Sequence, residues 1–406
     1  MIPFSIKVFF FKVWQFLLKI STPLLRFRTP ELFTGPGSSL VLCEHIAKTG
    51  VSNLLIVTDA MLVKLGLLKP MQEKLSQLGV SYVVYDGVLP NPTIEQIETG
   101  LTLLKSKGCT AILAIGGGSS IDAAKVIAAR AKNPYQIVHM AGLLRVLFKP
   151  MSLYAVPTTA GTGSEVTIAA VVSDPSTTRK FAIMAPCLVP LAAALDGALM
   201  TGLPAPITAA TGMDALTHAV EAYISRNRTD MTDREALDAT KLIMQNLAEA
   251  VRNGSNVEAR QNMALASFKA GVAFTTAGVG YVHAIAHNLG AYYHVPHGLA
   301  NAIVMPHVLD FSKPNCIDRL AQLAEVSGLK TGSESKEQLA TAFIAKVRAM
   351  NAEFGIPTQV EKLKESDIAA ITDKALSEAH MFYAVPRYMD APEFQTFLRQ
   401  MLPLAA

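Results

Sequence analysis

Cysteine is scarce and scattered. Cys43, Cys109, Cys187 and Cys316 are the four in 406 residues, and no two stand as Cys-x-x-Cys. This argues against a thiolate metal site of the usual spacing and predicts reduced thiols in a cytoplasmic protein. Charge is sparse as well: 17% of residues are charged against 50% hydrophobic, which argues against long disorder. The net charge of +4 is unevenly placed. Residues 1–28 hold Lys7, Lys12, Lys19, Arg26 and Arg28 and no acid, so the rest of the chain carries about −1. A near-neutral body offers nucleic acid no electrostatic footprint. Within residues 1–28 no uncharged run approaches the ~20 residues that a membrane span needs. In MIPFSIKVFFFKVWQFLLKISTPLLRFR a lysine interrupts every few residues, and no small-x-small cleavage site follows. Lys12, Lys19 and Arg26, spaced by sevens, would share one helix face, with Pro23 as an interruption. Two readings of this extension (1–30) stay open. It lies on a membrane surface with its aromatics inserted, or it packs on another part of the protein or a second subunit.

The chain is long enough for two domains. After the turn-rich ELFTGPGSS, aliphatic runs alternate with helical ones. NLLIVTD (Asn53–Asp59) and SYVVYDGV predict buried parallel strands, residues 60–77 a helix, and TIEQIETGLTLLKSKG an amphipathic helix stopped by glycine. AILAIGGGSSIDAAKVIAARA predicts strand, glycine turn and helix, and LYAVPTTAGTGSEVT a strand running into a hydroxyl-rich loop. This alternation implies an α/β domain with a parallel sheet, residues 31–202. Beyond LDGALMTGLPAP the strand signals stop, and alanine- and leucine-rich runs of helical spacing predict an all-helical domain, 203–406.

Gly116, Gly117 and Gly118 stand where strand meets helix. Glycine lets backbone approach a phosphate closely, and the amides and dipole of a following helix favour its charge. The spacing is not Gly-x-Gly-x-x-Gly, and a ligand-free tight turn remains an alternative. Asp59 ends an earlier strand, where a carboxylate can bind a ribose diol and repel a 2′-phosphate, or can simply cap the next helix. Thr158, Thr159, Thr162 and Ser164 add hydroxyls. Together these residues favour NAD over NADP.

GYVHAIAHNLGAYYHVPHG (280–298) holds four of the chain's nine histidines. His283 and His287 are four apart, as are Asp214 and His218 in TGMDALTHAVEAY, so each pair shares a helix face. Gly290 and Pro296 then bend the chain before His297. Asp and His donors suit a divalent transition metal, and four of them leave a position for a substrate oxygen on a metal taking five or six ligands. His294 and His307 read as structural.

GGGSSIDAAK, PTTAGTGSE, TGMDALTHAVEAY and VHAIAHNLGAYYHVPHGLANAIVMPHV occur in the order and spacing of a known family. The chain, over roughly residues 31–400, resembles the iron-containing, or group III, alcohol dehydrogenases. The resemblance implies a Rossmann-like domain followed by a helical one, the dehydroquinate synthase-like fold. It implies a metal on Asp214, His218, His283 and His297, with iron(II) first and zinc second. It implies NAD contacts at Asp59, Asn91, Gly117, Gly118, Ser119, Asp122, Thr158, Thr159, Thr167 and Lys180. His287 is implied to stand near nicotinamide and substrate without being a ligand. Homodimers or larger oligomers are implied too. The extension before residue 30 lies outside the family pattern.

The expected reaction is hydride transfer between a metal-held alkoxide and nicotinamide, with a small alcohol or aldehyde as substrate and His287 relaying the proton. Rivals on the same scaffold are a glycerol or diol dehydrogenase, a hydroxyacid–oxoacid transhydrogenase and a dehydroquinate synthase. The synthase needs basic groups for an acidic substrate, and no Lys/Arg cluster stands near the histidine motif.

Overall fold

The aliphatic runs of the first half do become parallel strands. The structure, a computed structural model, describes residues 3–21, 28–176 and 179–403. In chain order its first part holds α1 (Phe4–Ser21), β1 (Glu31–Thr34), α2 (Ser38–Lys48), β2 (Asn53–Val57), α3 (Ala60–Lys64), α4 (Lys69–Gln77) and β3 (Ser81–Tyr85). There follow α5 (Ile94–Ser106), β4 (Ala111–Gly116), α6 (Gly118–Lys132), β5 (Gly142–Leu143), β6 (Ser152–Pro157), β7 (Ala169–Asp174), β8 (Arg179–Met184) and β9 (Ala192–Leu195).

One sheet runs β1-β9-β6-β4-β2-β3, with every recorded pair parallel. Chain order reverses where β2 pairs with β4, since β3 lies on one side of β2 and β4 and β6 on the other. Ligands of open α/β sheets bind beyond the carboxyl ends of strands at such a reversal. β2 and β4 are aliphatic because helices cover both faces. Leu54, Leu55, Ile56, Val57 and Ala111 to Ile115 are fully buried. Each large aliphatic there contributes about 1.5–3 kcal/mol by leaving water, and truncating Leu55 to Ala would cost about 2–5 kcal/mol.

Three features of this half depart from the sequence reading. The single helix expected over 60–77 is two, α3 and α4. Gly66 turns the chain at φ +72°, and Pro70 fits the first turn of α4, where its missing N–H costs nothing. The opening stretch ELFT forms β1 on the sheet edge. After the hydroxyl-rich loop, β7 and β8 pair antiparallel, and the short β5 from before the loop joins β8 to complete a second sheet, β5-β8-β7.

From Pro204 to Pro403 the described elements are helical. They are α7 (Ala205–Ile224), α8 (Asp230–Arg252), α9 (Val257–Ala277), α10 (Tyr281–Tyr293), α11 (His297–Ser312), α12 (Ile317–Val326), α13 (Lys336–Glu353), α14 (Ile368–Phe382) and α15 (Ala391–Arg399), with short 3-10 turns. The chain divides into two compact units. One comprises Phe27–Leu203 with Gly254–Phe268; the other comprises Met1–Arg26, Pro204–Asn253 and Lys269–Ala406.

The N-terminal extension therefore groups with the helical unit. One face of α1 packs there through polar anchors. Buried Gln15 donates from Nε2 to the carbonyl of Tyr383 at 2.7 Å and accepts from the Tyr388 hydroxyl at 2.6 Å. Trp14 Nε1 donates to the carbonyl of Met381 at 3.1 Å, and Lys19 reaches the carbonyls of Arg226 and Arg228. Pro23 and Arg26 lie outside the described residues. Among those residues no helix is long and apolar enough to cross a membrane.

Candidate metal centre and dinucleotide site

In the helical unit, α7 carries Asp214 and His218 one turn apart, α10 carries His283, and α11 opens with His297. Gly298 lets these helices meet. A Cβ there would lie 2.3 Å from the Ala210 carbonyl oxygen and 3.3 Å from Asp214 Cβ, so only glycine brings the start of α11 this close to α7. Pro296 precedes the helix and fixes its entry.

One ligand atom from each of Asp214, His218, His283 and His297 lies within 4.8 Å of all the others. Asp214 Oδ1 stands 4.0 Å from His218 Nε2, 3.8 Å from His283 Nε2 and 3.6 Å from His297 Nε2. These gaps are too long for hydrogen bonds. They are close to the ~3.4 Å edge of a donor tetrahedron with bonds of about 2.1 Å. Burial, together with the charges of His218, His297 and His287, holds the His283 pKa well below its ordinary value, so its imidazole is neutral, the form that ligates metal. Asp214, His218 and His283 are buried, whereas His297 is exposed, which leaves the cluster open on one side.

Glu221, one turn beyond His218 on α7, orients His283. Its Oε2 accepts from His283 Nδ1 at 2.7 Å and from Gly280 N at 2.8 Å, and its Oε1 accepts from Val282 N at 2.8 Å. Burial lifts this carboxyl to about 7 against the hydrogen bonds that favour its charged form. Fixing Nδ1 leaves Nε2 turned toward the other donors. Asn301, one turn into α11, places Nδ2 2.6 Å from Asp214 Oδ1, 3.3 Å from His283 Nε2 and 3.2 Å from His297 Nε2. Among the described residues its buried Oδ1 has no hydrogen-bond partner. His218 is sandwiched by stacking, with Phe274 at 4.1 Å and His283 at 4.5 Å between ring centroids.

His287 is not one of the four converging donors. Its ring stacks on His297 at 5.4 Å, and its Nδ1 lies 2.7 Å from Glu378 Oε1, which also accepts from the Tyr383 hydroxyl. Burial lowers its pKa, but the charge and hydrogen bond of Glu378, with Glu221 and Asp214 behind, outweigh that and raise it. His294 caps α10 in the left-handed conformation and contributes no donor to the cluster.

In the α/β unit the predicted dinucleotide residues fall into two groups. Asp59 follows β2, Gly117 and Gly118 follow β4, and Thr158 and Thr159 follow β6. These three strands pair consecutively, so their carboxyl ends lie side by side at the chain-order reversal. Gly117 caps α6, and a Cβ on Gly118 would meet Thr162 at 2.8 Å, so the glycine turn and the threonine loop touch. Asp59 Oδ1 accepts from Leu62 N at 3.0 Å, which makes it the N-cap of α3. Asn91, in the left-handed region at φ 60°, accepts from Lys180 Nζ at 2.7 Å, and its N–H points to Ser119 Oγ at 3.4 Å. Burial lowers the Lys180 pKa.

The second group braces the loop. Asp122 accepts from the Ser164 hydroxyl and from Val171 N at 2.9 Å. Fully buried Lys125 donates to the carbonyls of Thr167 and Ala169, each at 2.7 Å, and to Thr167 Oγ1 at 3.1 Å. Burial pushes this lysine down to about 8 while Asp122 and Glu165 pull it back. The side chains of Asp122 and Thr167 thus carry hydrogen bonds within the protein.

Glu221, Asn301, Glu378 and Lys125 were not anticipated. Asp214, His218 and Glu221 follow i, i+4, i+7 on one helix, and Asn301 stands four after His297, so spacing could have found both. Nothing local marks Glu378, which reaches His287 from α14.

Comparison with known proteins adds to this geometry. Residues 29–197 match the family model described as iron-containing alcohol dehydrogenase, and residues 208–402 match that of the Fe-containing alcohol dehydrogenase family, C-terminal. The chain is 40% identical over 373 residues to 1,3-propanediol dehydrogenase of Citrobacter freundii, covering 91% of this chain and 96% of that one. It is 36% identical over 354 residues to NAD-dependent methanol dehydrogenase of Bacillus methanolicus, covering 87% and 93%. The solved structure of a 1,3-propanediol oxidoreductase superposes with a TM-score of 0.90 at 37% identity, covering 93% of this chain and all of that one.

Proposed function

This chain belongs to the iron-containing alcohol dehydrogenase family and is an NAD-linked, metal-dependent oxidoreductase of alcohols and aldehydes, and we propose that Asp214, His218, His283 and His297 hold its metal. One observation carries the proposal: a carboxylate oxygen and three imidazole nitrogens converge within 4.8 Å. The residues fit a divalent cation. The donors are oxygen and nitrogen, their spacing suits bonds of metal length, His283 is held neutral by its surroundings, and Glu221 fixes its tautomer. Such a cation supplies the positive charge that makes an adjacent alcohol more acidic and, in reverse, polarises a carbonyl. Iron(II) is the proposed ion, with zinc as a second that the same donors accept.

The dinucleotide is proposed to lie in the α/β domain read from the sequence, residues 31–202, at the strand ends that carry Asp59, Gly117, Gly118, Thr158 and Thr159, and the metal in the helical domain, residues 203–406. The Gly117–Ser119 turn at the start of α6 presents backbone N–H groups to a pyrophosphate. Asp59, while capping α3, keeps a second carboxylate oxygen for a ribose diol. Asn91 and Lys180, paired by their hydrogen bond, offer polar groups on the same unit. Asp122 and Thr167 act by holding the loop in place.

In the alcohol-oxidising direction the substrate carbon gives its hydride to nicotinamide, the hydroxyl gives its proton, and a carbonyl and NADH remain. His287 is the proposed proton acceptor. Glu378 fixes its Nδ1–H, which leaves Nε2 as the lone pair that receives the proton, and the carboxylate stabilises the resulting imidazolium. Replacing His287 by Ala should lower turnover and change its pH profile; an unaltered profile would remove this role.

Small alcohols and aldehydes, short diols among them, are the proposed substrates. The free thiols of Cys43, Cys109, Cys187 and Cys316 support a cytoplasmic setting, and the resemblance supports a homodimer. Steady-state assay of ethanol, propanediols and lactaldehyde with free NAD or NADH tests the reading. Turnover of a single alcohol by free NAD supports it. Activity only with a paired hydroxy acid and oxo acid would replace it by a transhydrogenase.

A further inference from the structure

One face of α1 is accounted for by Gln15 and its partners. The opposite face is not. Ile6, Phe9, Phe10, Val13, Leu17 and Ile20 follow helical spacing along one side, and each is 40–62% exposed. Phe16 continues this side at 61%. Met381 and Phe382 at the end of α14, where Trp14 is anchored, are also exposed. At 100° per residue Lys12 and Lys19 fall along one border of the apolar face and Lys7 along the other. Residues 1–28 contain five cations and no acid.

We propose that this face binds the surface of an anionic phospholipid bilayer, with α1 lying in the interface and the helical unit held beside it. A large apolar face flanked by lysines is the form an interfacial helix takes, and lipid phosphates supply the negative charge that residues 1–28 lack. A second copy of the chain fits less well. Two identical helices apposed through this face would crowd their own lysines together with no acid in the segment to answer them. Six apolar side chains in register on one helix face, each 40% or more exposed, are a contiguous stripe and not the scattered single exposures that need no explanation. Because α1 is tied down by Gln15, Trp14 and Lys19, insertion of the outer face need not undock the inner one. The inference is independent of the chemistry at the metal centre: the family matches begin at residue 29.

Trp14 is the chain's one tryptophan and stands at the edge of the apolar face, so it reports directly on this surface. The full-length protein is mixed with vesicles of phosphatidylcholine, alone or with phosphatidylglycerol, then floated, and Trp14 emission is recorded. Flotation with the mixed vesicles and a blue-shifted Trp14 emission, both reversed by salt, are expected. Lys7→Gln/Lys12→Gln should weaken partitioning about tenfold or more, and Phe9→Ser/Phe10→Ser by a similar factor, with alcohol turnover in solution retained. Absence of flotation with an unshifted Trp14 overturns the proposal. So does a multimer whose mass falls on Phe10→Glu without any vesicle binding, which would assign the face to a second copy. Vesicle binding by a protein lacking alcohol turnover would leave this inference standing and count against the metal-centre reading alone.

Discussion

Glu221 Oε2 lies 2.7 Å from His283 Nδ1, and both side chains are buried. This contact decides which imidazole nitrogen faces the cluster. The same carboxylate accepts the N–H groups of Gly280 and Val282, so it also sets where α10 begins. Glu221→Gln keeps the volume but turns an N–H donor toward groups that already donate. Metal affinity should fall about 10–100-fold, with the fold retained by circular dichroism. Unchanged affinity in a metal titration would show that His283 orients itself without Glu221.

Asn301 presents one amide nitrogen to Asp214, His283 and His297 together. A bound cation would repel that N–H end, so the amide must turn or move when metal enters. Asn301→Ala frees the donors of that competition but also releases Asp214. Equilibrium metal titration should then show affinity changed by about tenfold or more in one direction. A fall assigns the amide to holding Asp214, a rise to blocking the centre; no change assigns it neither role.

Asp59 has two tasks that can be separated. As the cap of α3 it should contribute about 1 kcal/mol, lost in Asp59→Ala and kept in Asp59→Ser. As the ribose-facing carboxylate it should disfavour NADP, and both variants should gain NADP turnover relative to NAD. Urea midpoints report the first and the ratio of kcat/KM values the second. An unaltered cofactor ratio would leave Asp59 a helix cap alone.

Much of this was legible in sequence because its causes are local. The aliphatic runs of β2 and β4, the glycine turn after β4 and the four-residue spacing of Asp214 and His218 each announce themselves within one element. What was hidden depends on elements distant in the chain. Glu378 meets His287 from α14, and Lys125 seeks carbonyls of the Thr167–Ala169 loop, so neither leaves a pattern around itself. The extension shows the same limit. Its apolar spacing could be read, but which face is covered was set by Tyr383 and Tyr388, more than 360 residues away. The break between α3 and α4 has local causes, the positive φ of Gly66 and the proline at position 70, so it too is readable in sequence.

His380 gives the fold a dependence on acid. Burial lowers its pKa from 6.5 to about 4, with Lys7 adding to the effect and a backbone hydrogen bond opposing it. The unfolded chain takes up this proton near pH 6.5 and the folded one only near 4, so above 6.5 the group contributes no pH dependence. As pH falls through that window the unfolded state binds more protons and stability drops, by about 3 kcal/mol in all. Urea midpoints measured across the window should fall for the native protein and fall less for His380→Gln. Parallel curves would place the acid sensitivity elsewhere.

The most direct test of the central claim is metal stoichiometry measured alongside NAD-linked turnover, on native protein and His283→Ala, after chelation and after restoring iron(II) or zinc. The native chain should lose activity on stripping and regain it on binding about one ion per chain, while His283→Ala should neither bind nor recover. Full turnover by metal-free native protein, or by metal-free His283→Ala, would contradict the account.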